Sequence, residues 1–165
     1  MPDKFTHEQL RVAAIAFAKR RGYDNIGCHK LGLGLGVIAS ETVTTANDIP
    51  DVIGWAYGLS YLIECKASKA DFNADAKKPQ RSNGTGMGNF RYYFTPVGLV
   101  APDELPSGWG HIAWDGKKAF INARPAQREI DCVAHIQEKR ILLSLLRRIK
   151  MREFLIIERD EEPHA

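Results

Sequence analysis

The stretch from Ile49 to Ser68 constrains this chain most: Ile-Pro-Asp-Val-Ile-Gly-Trp-Ala-Tyr-Gly-Leu-Ser-Tyr-Leu-Ile-Glu-Cys-Lys-Ala-Ser. Val52, Ile53, Trp55 and Tyr57 lead into a Gly, and Tyr61, Leu62 and Ile63 follow it. Residues of this kind suit a pleated, half-buried surface, so two strands joined by a tight turn are predicted. A type II′ turn at Gly58-Leu59, with Gly where positive φ is needed, pairs Tyr57 with Ser60. Counting outward, Ile53 then faces Glu64, and Asp51 faces Lys66. Side chains alternate between faces, so Asp51, Glu64 and Lys66 project from one face. A three-residue loop would send Asp51 to the other face unless a bulge restored the register.

Two carboxylates and an ammonium crowded on one face are costly unless something bridges them. A hard divalent cation does so: Mg²⁺ takes oxygen ligands, one or two of them carboxylates, and keeps several waters. One such water can act as nucleophile, with Lys66 orienting it and offsetting charge on a phosphate. Glu-x-Lys alone also fits a solvated surface hairpin. Pro50-Asp51 upstream, across an apolar hairpin, is what points to a metal site.

Pro50-Asp51, a hairpin, and Glu64-Cys65-Lys66 resemble the motif of the PD-(D/E)XK nuclease superfamily, which includes restriction endonucleases, Holliday-junction resolvases and VRR-type nuclease domains. The resemblance extends, as an ordering of elements, over residues 5 to 122. It implies a restriction-endonuclease-like α/β core, with a central mixed sheet flanked by helices in helix-strand-strand-strand-helix-strand order. It also implies that Asp51, Glu64 and the Cys65 carbonyl hold Mg²⁺, with Mn²⁺ able to substitute, and that Lys66 assists the attacking water. The activity implied is that of a metal-dependent endonuclease hydrolysing phosphodiester bonds in DNA. Many members of the superfamily are homodimers, and they serve restriction, repair or recombination in bacteria and phages. A competing expectation is a non-catalytic DNA-binding or scaffold protein on the same fold; another is a hydrolase of small phosphoesters.

At 165 residues, one domain over 1–157 is expected, followed by an acidic tail over 158–165. A hydrophobic content of 44% beside 26% charged residues belongs to ordinary globular proteins and argues against a disordered chain. The net charge of +3 permits a polyanionic partner without requiring one. Cys28, Cys65 and Cys132 are scattered without CxxC spacing, so neither a zinc knuckle nor a disulfide framework is indicated. No apolar run approaches membrane-spanning length and the N-terminus is too polar for a signal peptide, so a cytoplasmic location is expected.

Thr6-His7-Glu8-Gln9 has the form of a capping box, and Leu10, Ala13, Ala14 and Phe17 continue a helical stripe to Lys19-Arg20-Arg21-Gly22. In the resembled family a Glu on this helix sometimes reaches the metal, which makes Glu8 one candidate third acid; its other reading is to complement the helix N-terminus. Glu41, in a strand expected over Val37 to Thr45, is the other candidate. Gly32-Leu33-Gly34-Leu35-Gly36 invites a dinucleotide-binding reading, but a strand follows where a helix is required. The glycines are read instead as a flexible approach to the first strand. Cys28-His29 has no partners that would make it a metal site.

Ser68-Lys69-Ala70-Asp71 starts a second helix, with Phe72 and Ala76 inward and a stop at Pro79. Lys69, Lys77, Lys78, Gln80 and Arg81 follow the catalytic strand, where contact with phosphates competes with a solvated face. The Gly-rich stretch 82–89 is read as a mobile loop closing over nucleic acid; it lacks the Gly-Lys-[Ser/Thr] of a nucleotide-binding loop. Arg91-Tyr92-Tyr93-Phe94-Thr95 is a strand, with Arg91 and Tyr93 toward the site or solvent and Arg91 a further DNA contact. Leu99-Val100 reads as a short strand, and Asp115-Gly116 as the type I′ turn of a hairpin. A last helix is expected from Pro125 to Lys150, carrying Ile130, Val133, Ala134, Ile141, Leu142, Leu145, Leu146 and Ile149 on one side.

Overall fold

The structure, a computed structural model, describes residues 5–21, 32–40, 49–82 and 84–148. Helix α1 (His7–Lys19) begins at the predicted capping box: the Thr6 hydroxyl accepts from Gln9 N at 3.2 Å and the Gln9 side chain accepts from Thr6 N at 2.8 Å. Six strands follow as one open sheet in the order β1-β2-β3-β4-β5-β6. They are β1 (Val37–Ser40), β2 (Val52–Ala56), β3 (Leu59–Cys65), β4 (Phe90–Pro96), β5 (Gly110–Trp114) and β6 (Ala119–Ala123). β3, β4 and β5 run parallel, and the outer pairings are antiparallel.

Between β3 and β4 lie α2 (Lys69–Ala76) and the single turn α3 (Pro79–Ser82); α4 (Cys132–Arg148) comes last. Leu10, Ala14 and Phe17 of α1 bury one sheet face with Val52, Ile63, Phe94 and Ile112. Phe72 of α2 and Ala134 and Ile141 of α4 cover the other, against Ile53, Leu62 and Tyr93. The class is α/β, a six-stranded mixed sheet flanked by helices, compatible with a restriction-endonuclease-like core. Among the described residues no helix is long and apolar enough to cross a membrane.

The register of the central hairpin differs from the expected one in an instructive way. The turn is Tyr57-Gly58, with φ of 52° and 78°, and Ala56 pairs with Leu59. Positive φ at both central residues is the type I′ pattern, not II′. The pairing shifts by two residues, so Ile53 faces Leu62 and Val52 faces Ile63. Two is the side-chain period of a strand, so the shift leaves Asp51, Glu64 and Lys66 in phase.

Other boundaries also move. β1 is described over Val37–Ser40, and the rest of the expected strand with Glu41, like Cys28-His29 and the acidic tail, lies outside the described residues. The glycines before β1 serve the end of α1: Leu33 N, Gly34 N and Leu35 N donate to the carbonyls of Phe17, Arg20 and Ala18 at 3.3, 2.9 and 2.9 Å. A Cβ on Gly32 would lie 2.3 Å from the Phe17 carbonyl oxygen, so close packing is what requires that glycine. Leu99-Val100 is no strand; Leu99 N closes a turn on the Pro96 carbonyl at 3.2 Å. The β5–β6 connection spans four residues, 115–118, because the Asp115 carboxylate accepts from Lys117 N and Lys118 N at 2.8 and 2.7 Å and thereby makes its own turn. α4 starts at Cys132 rather than near Pro125, capped by Asp131 accepting from Ala134 N at 2.8 Å. Val133 and Leu146, expected inward, are more than half exposed, and Glu138 takes the inward place between Ala134 and Ile141.

Candidate functional site

The site forms where β3 leaves the sheet. Glu64 is the penultimate residue of β3 and lies beside Tyr93 of β4; Lys66 N extends the parallel ladder by donating to the Phe94 carbonyl at 3.0 Å. Asp51 stands just before β2, and its carboxylate bends onto β3: Oδ2 accepts from Cys65 N at 2.7 Å. That bond ties the acid at 51 to the middle of Glu64-Cys65-Lys66. His7 Nε2 lies 3.2 Å from Oδ1, and Ser40 Oγ donates to the Asp51 carbonyl at 2.9 Å while accepting from Arg11 at 2.7 Å. The start of α1 thus meets the start of β2.

On the far side of Lys66, α2 and α3 add charges. Lys66 Nζ is 3.3 Å from Glu64 Oε2 and 3.4 Å from Asp75 Oδ1. Arg81 donates to Asp75 through Nε and Nη2 at 2.8 and 3.1 Å, and its Nη2 lies 3.1 Å from Glu64 Oε1. Tyr93 donates its hydroxyl to Asp75 at 2.8 Å, and Lys78 Nζ is 2.9 Å from the same carboxylate. Glu64, Asp75 and Arg81 are each at most 5% exposed. Glu64 Oε1 is buried and receives no hydrogen bond from the described residues, its contact with Arg81 lacking the alignment of one.

These surroundings set the protonation behaviour. Burial pushes the Glu64 carboxyl up to about 7; Arg81 and Lys66 oppose that shift, while Asp51 and Asp75 add to it. Lys66 moves in the sense of a charged partner: burial works against its ammonium, but Glu64, Asp75 and Asp51 more than compensate and raise its pKa. The two directions favour different states of one pair. The geometry sides with the ionised pair, since two cations lie within 3.3 Å of the carboxylate. For Asp75, burial is outweighed by the hydrogen bonds from Arg81 and Lys78 and by the Arg81 and Lys66 charges, which hold its carboxyl well below the usual range. Burial and Asp75 push the Tyr93 hydroxyl far up, and burial does the same to the Cys65 thiol.

Asp51, Glu64 and Lys66 therefore come together, as the spacing predicts. Glu8 does not join them in a ligand cluster: its carboxylate takes the Arg11 guanidinium at 2.6 Å and is 61% exposed. Among the described residues no three His, Cys, Asp or Glu side chains are arranged to hold an ion. The donors that are present still suit Mg²⁺, which needs only one or two carboxylates. The buried, unbonded Oε1 of Glu64 gives that fit a physical basis.

Among the expected DNA contacts, two are turned inward. Arg81 is committed to Asp75 and Glu64. Arg91, 5% exposed, donates to the carbonyls of Gln80 and Met87 at 2.8 and 3.1 Å and to those of Thr85 and Gly86. With Arg128, which donates to the Gly84, Gly86 and Gly88 carbonyls, Arg91 pins the glycine-rich segment from within. That segment is no free lid over the described residues 84–89. Lys69 pairs with Glu104 at 2.5 Å, Lys78 with Asp75, Gln80 is half-buried, and Lys77 is exposed. Sequence reasoning passed over Asp75 and His7; Tyr93, expected toward the site or solvent, is buried with its hydroxyl on Asp75. The signal for Asp75 was its place three residues after Phe72, on the inward side of α2.

A solved structure of SPO1766, a protein of unknown function from Silicibacter pomeroyi, is similar to this chain with a TM-score of 0.53 and 24% identity, covering 69% of this chain and 77% of that one. The likeness concerns the fold. No family model and no curated protein matches the sequence.

Proposed function

We propose that the chain is a Mg²⁺-dependent nuclease that hydrolyses phosphodiester bonds in DNA. The observation that carries this reading is the convergence of Asp51, fixed on the Cys65 N–H at 2.7 Å, with Glu64 and Lys66, which are 3.3 Å apart. Asp51, Glu64 and the Cys65 carbonyl would hold the ion; when bound, it supplies a Lewis acid that neutralises charge on the phosphate and lowers the pKa of water. The chain's own residues do the rest. Lys66, charged between Glu64 and Asp75, orients a water and offsets the negative charge that develops on the phosphate oxygens. His7 and the Cys65 N–H hold the Asp51 carboxylate in place, so the acid does not have to be ordered on binding.

Asp51→Ala, Glu64→Ala and Lys66→Ala are each expected to abolish cleavage of a panel of linear, nicked and branched DNA in Mg²⁺, with circular dichroism unchanged. EDTA should stop the wild type, and Mn²⁺ should restore it. Full activity in any one variant removes that residue from the mechanism, and cleavage in EDTA removes the metal. A second reading, a non-catalytic DNA-binding or scaffold protein, is favoured by the burial of Glu64 and its two cationic neighbours. It is the outcome if DNA is bound equally well in EDTA and never cut.

A further inference from the structure

The metal reading requires Glu64 as a ligand, yet both of its oxygens already face cations: Lys66 Nζ at 3.3 Å on Oε2 and Arg81 Nη2 at 3.1 Å on Oε1. Arg81 is built in more firmly than a phosphate-binding arginine would be. Its side chain is 2% exposed, its fork rests on Asp75, and its guanidinium lies 5.2 Å from the centre of the Trp109 ring. Trp109 Nε1 in turn donates to the Arg81 carbonyl at 3.2 Å. A guanidinium keeps its charge in any protein environment, so it cannot step aside by losing a proton. Glu64 Oε1, meanwhile, is sealed from solvent without a hydrogen bond from the described residues. Its charge is countered, but its lone pairs remain open.

We propose that Arg81 is a resident counter-cation of Glu64, so that a divalent ion binds at Glu64 only against a fixed positive charge. This rests on the reading of Glu64 as a metal ligand. An ion entering here meets a balanced cluster, with Asp51, Glu64 and Asp75 set against Lys66, Lys78 and Arg81. Arg81 need not leave its seat when the ion arrives, because its two bonds to Asp75 do not involve Glu64. It therefore holds metal affinity down rather than blocking the site. An anionic phosphate brought by the substrate restores the balance that the ion upsets.

The test is calorimetric titration of Mn²⁺ into the full chain. The single variant Arg81→Gln leaves Asp75 without its fork, so Asp75→Asn/Arg81→Gln, which turns the buried pair into two amides, guards against failure to fold. Arg81→Gln should bind Mn²⁺ about tenfold more tightly than the wild type, as expected for removing a charge this close in a partly shielded site, and the double variant, which loses one charge of each sign, should bind more tightly than Asp75→Asn. Tyr93→Phe removes only the hydroxyl bond to Asp75 and should leave the affinity unchanged. Binding by the folded double variant no tighter than that of Asp75→Asn, with the wild type still binding Mn²⁺, overturns the role of Arg81 alone. Absence of binding by wild type and variants together overturns the metal centre, and this inference with it.

Discussion

His111, 1% exposed in β5, keeps both ring nitrogens occupied without a charged partner. Thr95 Oγ1 lies 2.8 Å from Nε2 and donates its own proton to the Pro96 carbonyl at 3.0 Å, so the ring donates to Thr95. Nδ1 then accepts from Asn122 Nδ2 at 3.1 Å, which a protonated ring could not do. Burial lowers its pKa to about 4. Between that value and the unfolded value of 6.5 the unfolded chain binds the extra proton, so this group's contribution is complete above pH 6.5 and is lost as pH falls toward 4. The loss amounts to about 3 kcal/mol. The difference between a variant and the wild type isolates this slope from those of other groups. His111→Gln should lose less stability than wild type between pH 6.5 and 4, read from urea midpoints at each pH; parallel curves would refute the assignment. At this scale Asp51, Glu64 and Lys66 were legible as neighbours because strand alternation keeps them in phase. Asp75 and Arg81 were not, since a helical Asp or Arg usually points to water and only packing against Tyr93 and Trp109 turned these two inward.

Elements were more legible than their joints. The capping box at Thr6 and the strands on either side of Gly58 follow from local residue chemistry, whereas the β2–β3 turn was misplaced because Tyr57, a strand former, adopts φ of 52° with its side chain fully exposed. α4 shows the same limit. Its apolar stripe predicted a helix but not that Glu138 would be its buried centre, 5% exposed. Glu138 accepts from Trp55 Nε1 at 3.1 Å, Ser60 Oγ at 2.9 Å and Gly88 N at 2.9 Å, joining α4 to the hairpin and to the glycine-rich segment in a single group. Glu138→Ala leaves Trp55 Nε1 and Gly88 N unpaired, while Ser60 Oγ keeps Asn89 Oδ1 at 3.0 Å, and should cost about 2–4 kcal/mol in a denaturant titration; Glu138→Gln, which keeps an acceptor, should cost less. A loss no larger than that of an exposed neighbour such as Lys139→Ala would mean that water replaces the carboxylate.

On the scale of the molecule, the surplus of three positive charges says little until each cation is located. Arg81 and Arg91 belong to the interior, Lys69 and Lys78 are paired with Glu104 and Asp75, and Lys77 faces solvent beside them. Around the end of β3 the basic residues are thus spent mostly on internal carbonyls and carboxylates, while Lys117 and Lys118, Arg124, and Arg140, Arg147 and Arg148 of α4 are exposed elsewhere. On the proposed nuclease reading, Lys77 is, among the described residues, the cation beside the site that is left for counterion release, so this region should contribute little to the salt dependence of DNA binding. Lys77→Ala should weaken binding and flatten the plot of log affinity against log salt by about one unit, whatever the DNA sequence. Arg91→Ala should do something different. By freeing the carbonyls of Gln80, Thr85, Gly86 and Met87 it should lower stability by about 2–3 kcal/mol and leave the salt slope where it was. Fluorescence anisotropy of labelled DNA in EDTA, with Lys66→Ala as the common background, reads both slopes without cleavage. A drop in slope for Arg91→Ala equal to that for Lys77→Ala would show that this guanidinium turns outward to meet phosphate, contrary to the place it holds beneath the glycines.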